Sequence, residues 1–146
     1  MENYEKINDV LVHLFNEIWE LEEKAIITEE FRDISNNDMH IIEAVGLGDG
    51  NTMSNIARKL NITAGSLTTS MNSLVNKRYV VRERSEQDRR VVYIRLTEKG
   101  EKAYNHHKDF HMQMTNAVIQ NLEEDEMGVL TKTLDSLSIF FRNYNH

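Results

Sequence analysis

Apolar residues recur at intervals of three and four from Ile7 through Val10, Leu11, Leu14, Phe15, Ile18 and Leu21 to Ala25. That period predicts a long helix with one apolar face over about residues 3–26. Ser35-Asn36-Asn37-Asp38 supplies N-cap chemistry for a second helix that turns Met39, Ile41, Ile42 and Val45 inward. The run Gly46-Leu47-Gly48-Asp49-Gly50-Asn51 stops it in a turn. Thr52 can cap a short third helix, Met53 to Leu60, with Met53, Ile56 and Leu60 on one face. Asn61-Ile62-Thr63 then suits a tight inter-helix turn, because Asn tolerates the left-handed conformation. Thr63 in turn can cap a fourth helix running to about Lys77.

Past Lys77-Arg78 the period changes to two. Tyr79–Arg84 and Val91–Leu96 are β-rich runs separated by the polar segment Ser85-Glu86-Gln87-Asp88-Arg89-Arg90, the pattern of a hairpin. Thr97, followed by Glu98 and Glu101, opens a long fifth helix with Ala103, His107, Phe110, His111, Met114, Ala117 and Val118 along one side. Glu123-Glu124-Asp125-Glu126 suits the start of a sixth helix, where acids favour the dipole. Its stripe is Met127, Leu130, Leu134, Leu137, Phe140, Phe141 and Tyr144. Two short helices joined by a tight turn and followed by a hairpin make a winged helix-turn-helix. The expected fold is therefore mainly α with a small β-hairpin: a winged helix-turn-helix with long N- and C-terminal dimerisation helices. Residues 1–146 form a single domain on this reading, with 35–97 as the DNA-binding region and 1–34 and 98–146 as the dimerisation region.

Charge sharpens this picture. The chain has 146 residues and a net charge of −7, but residues 51–100 carry +6 between flanks of −10 and −3. A solvated charged surface is the bland interpretation, yet basic charge gathered in one segment is the footprint of a nucleic-acid binder. The fourth helix places Leu67, Met71, Leu74 and Val75 on one face, and Gly65, Ser66, Thr69, Asn72, Ser73 and Asn76 on the other. Ordinary solvated faces are rich in Glu and Lys, and this one has neither before Lys77. Hydroxyls, amides and a Thr methyl can instead meet base edges in a major groove. Thr63, Gly65, Ser66, Thr69, Asn72 and Ser73 are the candidate reading residues. Arg58, Lys59, Lys77, Arg78, Arg82 and Arg84 flank them as phosphate contacts. Arg89 and Arg90, at the hairpin tip, suit a minor groove, or a surface ion pair with Asp88 or Glu86. Both can hold at once, since an Asp can orient the Arg beside it.

Other classes are disfavoured. With no Cys there is no disulfide framework, zinc ribbon or thiol nucleophile. No Gly-rich phosphate loop, Gly-x-Ser-x-Gly elbow or His-Glu-x-x-His motif points to an enzyme. The longest apolar run, Val91–Ile94, is far too short to span a bilayer, and the N-terminus lacks secretory features, so a cytoplasmic protein is expected.

Asp88-Arg89-Arg90, five residues, then Leu96-Thr97 and Glu98-Lys99-Gly100 match the wing pattern of the MarR family of bacterial transcription regulators, which the chain resembles over nearly its whole length. The resemblance implies an obligate homodimer, built by the first, fifth and sixth helices, on a palindromic duplex. A dimer also has an independent basis. A 24-residue helix is about 36 Å long, more than a small winged domain covers, and apolar stripes left bare would be large exposed patches.

A narrower resemblance, to the branch of that family that represses fatty-acid synthesis genes in low-GC Gram-positive bacteria, rests on Ile62–Thr69, Arg84–Val92, Glu22-Glu23, Met39-His40, His107 and Phe110-His111. It implies no resident cofactor but a long-chain acyl group, carried on acyl carrier protein, as co-repressor. Leu11, Leu14, Phe15, Ile18, Met39, Ile42, Phe110, Met114 and Phe141 could line its cleft, Met being adaptable to a flexible chain. Two alternatives stay open. His107 and His111, four apart on one helix, with His40 and Glu22, resemble the ligand positions of zinc-responsive repressors of the family, against the favoured bland reading of partly buried helix histidines hydrogen-bonded near a dimer cleft, and a third reading of a polar role beside an acyl pocket. A small aromatic or drug ligand is the other.

Overall fold

The computed structural model describes residues 2–26 and 30–144. It divides into two compact units, residues 1–110 and 111–146. Six helices and three strands follow in the order α1 (Glu2–Ile26), α2 (Asn36–Val45), β1 (Asn51–Thr52), α3 (Met53–Leu60), α4 (Ala64–Asn76), β2 (Val80–Arg84), β3 (Val92–Leu96), α5 (Glu98–Ile119) and α6 (Glu124–Tyr144). The expected mainly helical winged fold is thus present, with all six expected helices and both hairpin strands. Residues 1, 27–29 and 145–146 of the expected dimerisation region lie outside the described residues.

In the first unit local sequence sets each helix start. Ser35 and Asp38 form a reciprocal capping box at α2, Thr52 accepts from the Asn55 amide at α3, and Thr63 accepts from the Ser66 amide at α4. Such caps each contribute about 1 kcal/mol. Asn61 ends α3 in the left-handed conformation, φ 53°, as the turn requires.

The sheet holds one strand more than the hairpin expected. β3 is central, with β2 antiparallel on one side (Val80 opposite Leu96) and the two-residue β1 on the other (Asn51 opposite Ile94). Gly50 permits that pairing: a Cβ there would collide with the Ile94 carbonyl, and its φ is +84°. A two-residue strand carries no period, so the pattern along the chain could not reveal it.

The core joins α2 (Met39, Ile41, Ile42, Val45), Ile56 of α3, the inward face of α4 (Leu67, Met71, Leu74), Tyr79 and Val80, Ile94 and Leu96 of β3, and Ala103 of α5. Tyr79, read as a strand residue, is instead fully buried just before β2 begins. Its hydroxyl donates to Asp33 Oδ1 at 2.6 Å. Burial, then that hydrogen bond and the Asp33 charge, push the Tyr79 phenol well above its ordinary range.

The second unit comprises the end of α5 and α6. No residue of α6 is buried. Phe140 packs edge-on to Phe141, with ring centres 5.8 Å apart, and tilts against Tyr144 at 5.7 Å. No described helix is long and apolar enough to cross a membrane.

Candidate nucleic-acid interface

α4 buries Leu67, Met71 and Leu74 against the core, which fixes its opposite face outward. Gly65, Ser66, Thr69, Asn72 and Asn76 are exposed on that face, and Ser73 is half-buried. Thr63, the cap, is exposed too, and its hydroxyl donates to Ser66 Oγ at 3.0 Å. The Thr69 hydroxyl donates back to the Gly65 carbonyl at 3.3 Å, so its methyl and an oxygen lone pair remain to face outward. A Cβ on Gly65 would meet nothing within 4 Å. The protein itself does not require glycine there; its bareness lets an outside surface approach the helix start closely. The structure therefore brings together on one helix the face assigned from the sequence.

The wing is built around Asp88. Its backbone amide donates to Ser85 Oγ, and the Ser85 amide donates to the Val91 carbonyl at 2.9 Å, which closes the hairpin. The Asp88 carboxylate accepts from the Arg90 backbone amide at 3.0 Å and, in two-pronged fashion, from Arg90 Nε and Nη2 at 3.1 Å each. The Arg90 side chain hydrogen bond first, and its backbone amide second, hold the Asp88 carboxyl below its usual range. Arg90 is nonetheless 91% exposed along its side chain. An exposed ion pair contributes little to stability. Its effect here is to fix the direction of a guanidinium that keeps unused donors toward solvent. Of the two readings set out for Arg90, the ion pair is present, with Asp88 as its partner. Arg84 joins the wing by donating to the Arg89 carbonyl at 3.2 Å. Arg82 and Arg84 also border a cavity of about 490 Å³ between α3, α4 and the hairpin, floored by Met53, Ala57, Leu67 and Val92.

Of the flanking cations, Arg58 donates to Asn55 Oδ1 at 3.0 Å at the surface of α3. Lys77 stands apart: its ammonium donates to the Asp33 carbonyl, so it is engaged within the protein.

The expected effector residues are less unified. Met39 and Ile42 belong to the closed core, Ile18 and Phe110 are half-buried, and Leu11, Leu14 and Phe15 are exposed along α1. Met114 and Phe141 belong to the second unit, half-buried and exposed respectively. The histidine set is partly assembled in the first unit. Buried His107 lies 3.7 Å from buried Glu22, and its ring meets that of His40 edge-on at 6.1 Å between centres. Glu43, which the sequence did not single out, approaches His107 Nε2 to 3.4 Å and His40 Nδ1 to 3.9 Å. Glu43 sits three residues beyond His40, one helical turn on, and that spacing was the available signal.

A family model described as transcriptional regulator SarA/Rot matches residues 23–107. The crystal structure of Streptococcus pneumoniae FabT in complex with DNA superposes with a TM-score of 0.86 at 39% identity, over 96% of this chain and 98% of that one. The chain belongs to the MarR family of winged helix-turn-helix transcription regulators. Bacillus subtilis PchR is similar as well, 26% identical over 139 residues, which is 93% of this chain and 79% of PchR. Staphylococcus epidermidis SarZ is 34% identical over 86 residues, little more than half of either protein (55% and 58%).

Proposed function

We propose that the chain is a cytoplasmic repressor, not an enzyme, that binds a palindromic duplex as a homodimer and controls fatty-acid synthesis genes. The observation that carries this reading is the pairing of a bare, uncharged α4 face with an oriented, exposed Arg90. It occurs in a chain that matches FabT, solved on DNA, along almost its full length. Thr63, Gly65, Ser66, Thr69, Asn72 and Ser73 face bases in the major groove. Arg89 and Arg90 enter the minor groove, and Arg58, Lys59, Arg78, Arg82 and Arg84 meet phosphates. The second copy covers apolar positions on α1 and α6 that one chain leaves exposed, among them Ile7 and Phe140. Residues 1–34 and 98–146 supply the dimerisation region, and 35–97 the DNA-binding region.

The co-repressor in this proposal is a long acyl chain presented by acyl carrier protein. The narrower sequence resemblance supports it, and so do the apolar side chains of Leu11, Leu14, Phe15, Ile18 and Phe110. Each methylene buried contributes about 0.8 kcal/mol, so chain length should be felt steeply. A second reading, a zinc-responsive regulator, is favoured by one observation: the buried approach of Glu22 to His107, with His111 one turn further along α5 and His40 beside the ring. A carboxylate with imidazoles suits zinc.

One titration separates them. Operator affinity is measured with acyl carrier protein bearing short and long chains, and separately with zinc. Affinity that rises with chain length is the expected result. Affinity that ignores chain length, responds to zinc and loses that response in His107→Ala transfers the assignment to the metal.

A further inference from the structure

We propose that Asp33, in the connection between α1 and α2, is a positioning residue for DNA binding: it anchors the C-terminal end of α4 and thereby sets how the polar face of that helix is presented. The proposal rests on the reading of α4 as the helix that enters the duplex.

Asp33 gathers three groups from beyond α4. Lys77, the C-cap of α4, donates to its backbone carbonyl. The Tyr79 hydroxyl donates to Oδ1 at 2.6 Å, and Lys99 Nζ lies 3.6 Å from Oδ2. Lys99 closes the ring, since it also donates to the Lys77 carbonyl at 3.2 Å and sits 4.3 Å above the centre of the Tyr79 ring. Thr97 fastens the same short segment from the other side. Its hydroxyl donates to the Arg78 carbonyl at 2.6 Å, its amide donates to the Tyr79 carbonyl at 3.0 Å, and the Gly100 amide donates back to its hydroxyl at 3.1 Å. Gly100 is required by this packing, because a Cβ there would strike the Tyr79 carbonyl.

The segment so held is strained. Arg78 adopts φ +68°, which costs a non-glycine residue free energy and persists where surroundings over-determine it. Asp33, together with Lys99 and Thr97, is where the chain outside the helix-turn-helix takes hold of the α4 exit. Burial by itself would raise the Asp33 carboxyl. The Tyr79 hydrogen bond and the Lys99 and Lys77 charges outweigh it, so it stays ionised below the usual carboxylate range. Two lysines of the basic segment therefore have an internal anion to serve. Neither needs a phosphate to explain its place.

The test uses the full chain and a duplex selected from a random pool by the wild-type protein. Failure of that selection would remove the DNA-binding reading itself, a separate outcome from those below. Affinity is measured by fluorescence anisotropy at several salt concentrations for Asp33→Asn, Lys99→Met and the double variant, with the folded fraction checked by circular dichroism. Each single variant is expected to bind about tenfold more weakly while folded, with the double little worse than either. The slope of log affinity against log salt should not change, because every phosphate keeps its partner. A residue that merely stabilised the fold would leave the affinity of the folded fraction unchanged, and that result overturns the proposal. So does a Lys99→Met slope shallower by about 0.9, the mark of one phosphate no longer neutralised. If Asp33→Asn does not fold, Tyr79→Phe removes only the hydroxyl donor and is read by the same criteria.

Discussion

Among the described residues, every buried apolar side chain lies between Phe31 and Ala103, whereas α1 and α6 bury none. The winged segment closes its own core: α2, α3, α4 and the sheet each turn an apolar face to the same interior. The two terminal helices carry apolar stripes just as regular, yet Ile7 is 59% exposed and Phe140 58%. Periodicity is therefore equally clear in both regions while its destination differs. In one it points to the chain's own interior; in the other it points to a surface that must be supplied from outside, which the proposed dimer does.

This contrast predicts unequal effects of substitution. A charge placed on a terminal stripe, as in Phe140→Asp, should leave the winged core folded but disfavour the dimer. Operator binding should then fall by roughly 10²–10⁴-fold, as two linked half-sites are reduced to one. Sedimentation and anisotropy on the same sample check it; a variant that stays dimeric, or a monomer that binds as tightly as before, breaks the comparison.

Effects within the winged segment should be smaller and more particular. Arg90→Ala removes a guanidinium that Asp88 aims outward, and should weaken operator binding by about 1.5–3 kcal/mol. Thr69→Ala and Asn72→Ala should chiefly alter which bases are preferred, by about 1–3 kcal/mol for each base-specific interaction removed. Competition among single-base operator variants measures this. An unchanged preference profile in both would mean that the α4 face does not read bases.

How much of this was legible in the sequence depended on distance along the chain. Caps such as Thr52 and Thr63, the left-handed Asn61 and the two faces of α4 are set within a few residues, and each was found. The Asp88–Arg90 ion pair spans two positions along the chain and was one of the pairings the sequence offered, Glu86 being the other acid. By contrast, Tyr79 and Asp33 are 46 residues apart, and no local pattern says that a β-prone Tyr will be buried with its hydroxyl on a carboxylate. Lys77 looked like its basic neighbours until its partner across 44 residues was placed. The approach of Glu43 to His107 was hidden similarly, since α2 and α5 meet only in the folded chain.

The most direct test of the central claim, a two-fold reader using paired α4 helices and wings, is the dependence of affinity on half-site spacing. Two selected half-sites are placed about 10 bp apart, centre to centre, or about 15 bp apart, and affinity is measured by anisotropy at fixed salt. The account predicts tight binding at the first spacing and a collapse at the second, which turns the half-sites to opposite faces of the duplex. Equal affinity at both spacings would contradict it.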